Sequence, residues 1–331
     1  MLVSMKEMLA EAARGGYAVG GFNCASLESA VAAVRASEET GMPFILQHAP
    51  VHEPYIPLSV AGPLMLQLAR AAKTPVAVHL DHGASVEHCL RALAMGFTSV
   101  MIDGSALPFA ENVAATACVA KTAHSLGATV EAELGSMPHN FKGELGEYTP
   151  EDFYTKPDEA ADFAEKTGVD ALAISFGTVH GISKTTPKLS LEVIERVREA
   201  TGGLPLVMHG GSGLTDDDYR EAIARGIRKV NCYTYGALAG GRAVYDIVAR
   251  TPSGLQFHDV AVAATDAIAD DIRRVMGILG RRRRLRFSAA AGCPVCAHRH
   301  AEAALEESLE VRGGVDAAFF AHALKGDVGF L

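Results

Sequence analysis

Val76-Ala77-Val78-His79-Leu80-Asp81-His82-Gly83 is a short apolar run that ends in a carboxylate, an imidazole and a glycine turn. Two later stretches end the same way: Ala171 to His180 with Gly181, and Leu206 to His209 with Gly210. Apolar runs of this length read as strands buried on both faces, and an α/β protein exposes its chemistry just past the C-terminal ends of such strands. Three imidazoles presented this way predict one metal site built from three separate strand ends, suited to zinc or a similar divalent ion.

Working outward, the same kind of run recurs along the chain. Strands are predicted at Ala18 to Phe22, Pro43 to Gln47, Pro75 to Leu80, Ser99 to Ile102, Thr129 to Leu134, Ala171 to Ser175, Leu204 to Met208 and Arg228 to Asn231. Between them lie segments of helical period: Leu27 to Glu39, Leu58 to Ala72, Val86 to Ala94, Ala110 to Leu126, Asp158 to Thr167, Leu191 to Ala200 and Asp216 to Ala224. Ser26, Ser85, Ser190 and Thr215 stand where N-caps belong, and Gly41, Gly96, Gly127, Gly168, Gly202 and Gly226 where helices stop. Eight strands alternating with helices predict a closed (β/α)8 TIM barrel over residues 1–280. An open doubly wound sheet would instead favour a dinucleotide fingerprint after the first strand, and Gly20-Gly21-Phe22-Asn23 is not one. A further helical segment is read at Val260 to Leu279, after which residues 281–331 change character and read as a helical or irregular appendage.

Composition narrows the function. With 331 residues, 49% of them hydrophobic and 21% charged, the chain can bury a large core, which excludes a disordered protein. No apolar stretch reaches the roughly 18 residues of a membrane span, and Lys6, Glu7 and Glu11 make the start a first helix rather than a signal peptide. A net charge of −9, with Arg281 to Arg284 and Arg286 the one basic cluster, argues against nucleic-acid binding. Cys24, Cys89, Cys118 and Cys232 sit singly among apolar neighbours, as reduced thiols do, so a cytoplasmic enzyme is expected.

A carboxylate beside a metal-bound imidazole can exchange a proton with a substrate oxygen, which makes Asp81 the candidate proton shuttle; taken alone, Asp81 reads equally well as a helix cap. The turns Gly177 to Gly181 and His209-Gly210-Gly211-Ser212-Gly213 offer backbone N–H groups to an anion, with Ser212 and Thr215 adding hydroxyls. Strand eight then ends in Asn231-Cys232-Tyr233-Thr234, again a helix start. Phosphate sites in these barrels recur in the loops after strands seven and eight.

At these residues the chain resembles the class II, metal-dependent ketose-bisphosphate aldolases. The resemblance rests on Leu80-Asp81-His82, Ser99 to Ser105 with Asp103, Glu131 to Gly135 with Glu133, Gly177 to Gly181 with Thr186 to Leu189, His209 to Gly213, and Lys229 to Asn231, in one order over roughly residues 1 to 280. It implies reversible cleavage of a ketose phosphate to dihydroxyacetone phosphate and an aldehyde by a homodimer or homotetramer, with fructose 1,6-bisphosphate the default substrate. It further implies that His82, His180 and His209 hold a catalytic zinc, with Glu133 an outer or alternative ligand, and that Asp81 serves the aldehyde half. Asn231 would orient the enediolate. Gly181, Gly210, Gly211, Ser212 and Thr234 would cradle the phosphate, with Lys184 nearby and close to a monovalent cation, Na+ or K+.

The match weakens in three places. The family's glutamate loop, which handles the carbon-bound proton, has only Lys142-Gly143-Glu144 as a counterpart, so Glu144 is the candidate and Glu147 the reserve, against a reading of both as solvated loop charges. After strand two, Gln47-His48-Ala49-Pro50-Val51-His52 lacks the small hydroxyl residue expected to face substrate. Tyr233 puts a large ring where a small or acidic residue is expected. For a distal phosphate, Arg242, Arg273, Arg274 or the Arg281 to Arg286 cluster are the candidates. With the pocket changed and the metal and phosphate features kept, an altered aldehyde partner is expected, as in a tagatose-bisphosphate, sugar-acid or sulfo-sugar aldolase; a non-catalytic phosphosugar-binding homologue is the alternative from another class. In the appendage, Cys293, Cys296, His298 and His300 offer soft ligands for a second, structural zinc, or are unbound surface residues.

Overall fold

In the computed structural model, which describes residues 1–135, 153–179, 181, 187–251 and 253–280, eight parallel strands pair in sequence order and β8 returns to β1, closing the sheet. The strands are β1 (Val19–Asn23), β2 (Phe44–His48), β3 (Val76–Gly83), β4 (Ser99–Ile102), β5 (Thr129–Leu134), β6 (Ala171–Ile174), β7 (Leu206–Met208) and β8 (Ile227–Cys232). The helices, in chain order, are α1 (Met5–Gly15), α2 (Leu27–Thr40), α3 (Leu58–Ala71), α4 (Val86–Met95), α5 (Phe109–Ser125), α6 (Pro157–Thr167), α7 (Leu191–Ala200), α8 (Asp216–Arg225), α9 (Thr234–Arg250) and α10 (Phe257–Leu279). The closed TIM barrel is the architecture that eight strand–helix units predict.

The capping signals act largely as they read. The hydroxyls of Ser26, Ser85 and Thr215 accept from backbone N–H groups one turn into α2, α4 and α8, whereas Ser190 stands at the N-cap of α7 without a side-chain bond. Helix α1 lies across the base of the barrel: Met5, Met8, Leu9 and Ala12 are fully buried, and the Lys6 N–H donates to Thr129 Oγ1 at the start of β5. With the base closed, the open mouth is at the C-terminal ends of the strands. Among the described residues no helix is long and apolar enough to cross a membrane.

Two elements depart from expectation. Helix α9 has no counterpart among the expected helical segments beyond a helix start at Thr234, because Gly236, Gly240 and Gly241 interrupt its pattern and lower its intrinsic propensity. Packing overrides that: α9 lies along α10, and a Cβ at Gly240 would sit 3.0 Å from Ile268, so the glycine allows the close approach. Strand β3 also runs past Leu80 to Gly83 through a register shift against β4.

Alternation sets which residues enter the barrel. His79, Glu131 and Lys229, all fully buried, meet in one interior layer. Asp81, Glu133 and Asn231, each two residues further along its strand, stand nearer the mouth.

Candidate active site

The irregularity in β3 is what brings two consecutive residues to the mouth. On a regular strand Asp81 and His82 would face opposite ways. Here the register shifts between Leu80 and Gly83, and His82 has φ 48°, making it the one non-glycine residue among those described with a left-handed backbone. Left-handed backbone on such a residue is a strain that persists where the surroundings impose it, often at functional sites. Gly83 completes the bulge, since a Cβ there would strike the Met101 carbonyl.

Asp81 is 3% exposed and gathers amide donors: Asn231 Nδ2 at 2.9 Å, Gln47 Nε2 at 3.1 Å and Asn23 Nδ2 at 3.4 Å. Burial opposes its charge, but His82, Lys229, His209 and the Asn231 hydrogen bond outweigh that and hold the carboxyl down at about 2. Asp81 is therefore ionised at neutral pH.

His82 and His209 face each other with their rings edge to face, 4.7 Å apart. The outer nitrogen of each is committed: His82 Nδ1 donates to Asp103 Oδ2 at 2.7 Å, and His209 Nε2 donates to Glu131 Oε1 at 3.0 Å. What remains is His82 Nε2 opposite His209 Nδ1 at 3.0 Å. Two lone pairs at that separation repel, so either a proton or a cation must stand between them. Burial disfavours charge on His82, but Asp81, the Asp103 hydrogen bond and Glu133 more than compensate and raise its imidazole to about 9.

Glu133 closes the other side. Its carboxylate lies 3.7 Å from His209 Nδ1 and 4.0 Å from His82 Nδ1, and its buried Oε2 has no hydrogen-bond partner among the described residues. Burial, then the Asp103 charge, pushes this carboxyl up to about 8. Ligand atoms of His82, Asp103 and Glu133 lie within 4.8 Å of one another, as do those of Asp81, His82 and His209. The inward nitrogens of His82 and His209 beside the Asp81 carboxylate, with the far sides of both rings pinned by carboxylates, fit a divalent metal such as zinc.

Beneath this, Glu131 bridges the layers. Its Oε2 accepts from Lys229 Nζ at 2.7 Å, while Lys229 also donates to His79 Nε2 at 3.3 Å and His79 Nδ1 donates to Ser99 Oγ at 2.7 Å. Burial and the Lys229 charge hold His79 well below the usual imidazole range, which keeps it neutral and able to accept.

Beside the mouth, past the ends of β1 and β8 and against α9 and α10, opens a cavity of about 470 Å³ lined by Asn23, Gly211, Ser212, Asn231, Tyr233 and Thr234 among others. The first turn of α8 carries Asp216, Asp217 and Asp218, and the Thr215 hydroxyl is spent on its cap. By contrast α9 has no acidic residue in its first turn and its N-cap, Tyr233, makes no side-chain bond. An anion therefore fits the start of α9 and not that of α8. A Cβ at Gly210 would strike the Val179 backbone, so only glycine lets the turn after β7 pack against the one that leads to residue 180.

Residues 3–284 match the family model for fructose-bisphosphate aldolase class-II. The chain belongs to this family. It is similar to the fructose-bisphosphate aldolase of Geobacillus stearothermophilus, 40% identical over 272 residues that cover 81% of this chain and 93% of the relative. The fructose-bisphosphate aldolase of Staphylococcus aureus (strain Mu50) is 43% identical over 253 residues, 75% of this chain and 86% of the relative. Among solved structures, the YdjI aldolase of Escherichia coli K12 superposes with a TM-score of 0.77 at 31% identity, covering 86% of this chain and all of the other. As a class II aldolase the protein is a lyase.

In this aldolase, Asp81, His82, Glu133, His209 and Asn231 converge at the mouth, and Gly210, Gly211, Ser212 and Thr234 lie on its β7–β8 side; Gly181, in the chain between β6 and α7, has φ +81°. His180, Lys184, Glu144 and Glu147 fall outside the described residues, as do Cys293, Cys296, His298, His300 and the Arg281 to Arg286 cluster. Arg242, Arg273 and Arg274 are paired with Asp246, with Glu39 and Asp270, and with Asp271 respectively, on the outer helices. Sequence reasoning gave no role to Asp103, Glu131, Lys229, Gln47 or Asn23. The available signal was charge: Glu131 and Lys229 stand inside buried strands, where such residues persist only with partners.

Proposed function

We propose that this aldolase reversibly cleaves a ketose phosphate into dihydroxyacetone phosphate and an aldehyde, with a divalent cation, zinc, held by His82, His180 and His209. The observation that carries this reading is the pair of inward nitrogens on His82 and His209, 3.0 Å apart, beside an ionised Asp81. When bound, the cation polarises the substrate ketone as a Lewis acid. In the cleavage direction Asp81 takes the proton of the C4 hydroxyl as the C3–C4 bond breaks, and the electron pair stays with the dihydroxyacetone phosphate half. The Asn231 amide fixes Asp81 through Nδ2, and its buried Oδ1, without a partner among the described residues, is left to accept from a substrate hydroxyl. Glu144 returns a proton to carbon. The N–H groups of Gly181, Gly210 and Gly211, with Ser212 and Thr234 at the start of α9, hold the phosphate. Exposed Tyr245, Val248, Phe257 and Val262 on α9 and α10 support assembly as a homodimer or homotetramer.

Mass-spectrometric detection of dihydroxyacetone phosphate and an aldehyde from a ketose phosphate library, with zinc restored, tests the reaction; binding without turnover would leave a phosphosugar-binding homologue instead.

Cation uptake is expected to expel protons. At pH 7 the metal-free site holds one on His82, raised to about 9, and one on Glu133, raised to about 8. Ligation requires neutral imidazole and, where Glu133 takes part, ionised carboxylate. Titration calorimetry in buffers of different ionisation enthalpy should register between about one and two protons released per cation at pH 7, declining as pH rises through about 8 and then about 9. Uptake without proton release at pH 7 contradicts the assignment of these two protons.

A further inference from the structure

The mouth carries a second group of buried imidazoles that the reaction above does not use. Strand β2 ends at His48, and a 3-10 turn, Pro50–His52, follows directly. His48 is fully buried, and its Nε2 donates to the Ile56 carbonyl at 2.9 Å, which spends that nitrogen and leaves Nδ1 over. That Nδ1 has no partner among the described residues. His52 is 1% exposed, and neither of its ring nitrogens has one. The His52 ring stands 6.0 Å from that of His48 and 4.8 Å, edge-on, from that of Tyr233, which is half-exposed two residues beyond Asn231 and lines the cavity at the mouth. Gln47, the neighbour of His48, donates to Asp81. Buried polar atoms are ordinarily paired, and three orphans on two adjacent imidazoles call for a ligand or water.

Resting on the aldolase reading, we propose that His48 and His52, screened by Tyr233, form the subsite for the far end of the aldehyde half, and that this end is neutral and hydroxyl-bearing, not phosphorylated. The chemistry of the free atoms decides between the two. A neutral His52 offers one donor and one acceptor, and His48 Nδ1 adds a third free atom. Hydroxyl groups both donate and accept, so they satisfy all three. A phosphate only accepts, would meet the lone pair of His52, and would lie in the field of the ionised Asp81. Burial first, then the neighbouring His48, pushes His52 down to about 4, in keeping with a neutral ring. The departures after β2 and at Tyr233 thus become one feature, although the residues lie far apart in the chain.

The test pairs dihydroxyacetone phosphate with D-glyceraldehyde, glyceraldehyde 3-phosphate or propionaldehyde on the zinc-loaded enzyme, and separately follows deuterium exchange into dihydroxyacetone phosphate alone. Glyceraldehyde is expected to exceed both other aldehydes in kcat/KM by at least about tenfold, because a site built to bond hydroxyls rejects an analogue that lacks them. His52→Phe should remove at least about tenfold of the glyceraldehyde value, leave propionaldehyde within about twofold, and leave deuterium exchange unchanged. His52→Gln, which keeps a donor and an acceptor, should restore most of the loss, and carries the comparison if the phenylalanine variant loses exchange. Preference for glyceraldehyde 3-phosphate overturns the proposal while exchange persists, and so does a His52→Phe change that is equal for both neutral aldehydes or absent, which would mean that the orphan nitrogens hold water only. Absence of exchange in the unmodified enzyme defeats the aldolase reading itself, and this inference with it.

Discussion

His209→Ala is expected to empty the site of its cation and to lower turnover by about 10³-fold or more. His209 is fully buried and contributes one of the two nitrogens that face each other at 3.0 Å, while its other nitrogen is held by Glu131. Alanine removes the donor and leaves a cavity with no replacement. Lewis-acid stabilisation contributes several kcal/mol to such a transition state, and each ~1.4 kcal/mol is a factor of ten in rate, which sets the scale of the loss. Glu131 keeps its bond to Lys229 in this variant, so the fold should persist. Asp81→Asn supplies the contrast. It preserves shape, keeps the cation, and is expected to lose about 10²–10⁴-fold in turnover, because only the proton acceptor is gone. Metal content by mass spectrometry and steady-state rates on both variants separate the two roles, and a His209→Ala protein that retains a full complement of metal and normal activity would overturn the assignment.

How far the sequence shows this site depends on the range of the interaction. Where a short apolar run meets a clear stop, the element bounds read directly: Ser99–Ile102, Thr129–Leu134 and Leu191–Ala200 begin and end at the expected residues. Period-two alternation also tells which side chains share the barrel interior, so that Glu131 with Glu133, and Lys229 with Asn231, fall on common faces. Partner identity is another matter. Glu131 and Lys229 are 98 positions apart, and nothing local in either strand names the other. The His52–Tyr233 contact joins β2 to β8 and exists only because the sheet closes. Asp103 meets His82 because of the β3 bulge, a backbone event that a run of Val, Ala and Leu does not announce. Helix α9 fails for a related reason: its glycines argue against a helix, and contact with Ile268 on α10 decides for one.

Lys229→Met is expected to destabilise the protein by about 3–5 kcal/mol and to weaken cation binding by about 10–100-fold, although Lys229 touches neither facing nitrogen. Its ammonium is fully buried, 2.7 Å from Glu131 Oε2 and 3.3 Å from His79 Nε2. Methionine fills the same volume but leaves the Glu131 carboxylate in the barrel interior with imidazoles as its remaining partners. An uncompensated buried charge carries the larger cost, so removing one member of the pair hurts more than the pair's own net worth. At roughly 2–4 °C per kcal/mol for a domain of this size, the melting temperature should fall by roughly 10 °C. The cation effect follows through Glu131, which holds His209 Nε2–H and thereby aims Nδ1 at His82. The double variant Lys229→Met/Glu131→Gln separates the two consequences, since it deletes both charges and should recover most of the stability, while the neutral amide still orients His209 less firmly than a carboxylate and leaves cation affinity reduced. A Lys229→Met protein that melts within 1–2 °C of the unmodified enzyme would show that Glu131 does not depend on this lysine, and would remove the buried ion pair from the account of how His209 is aimed.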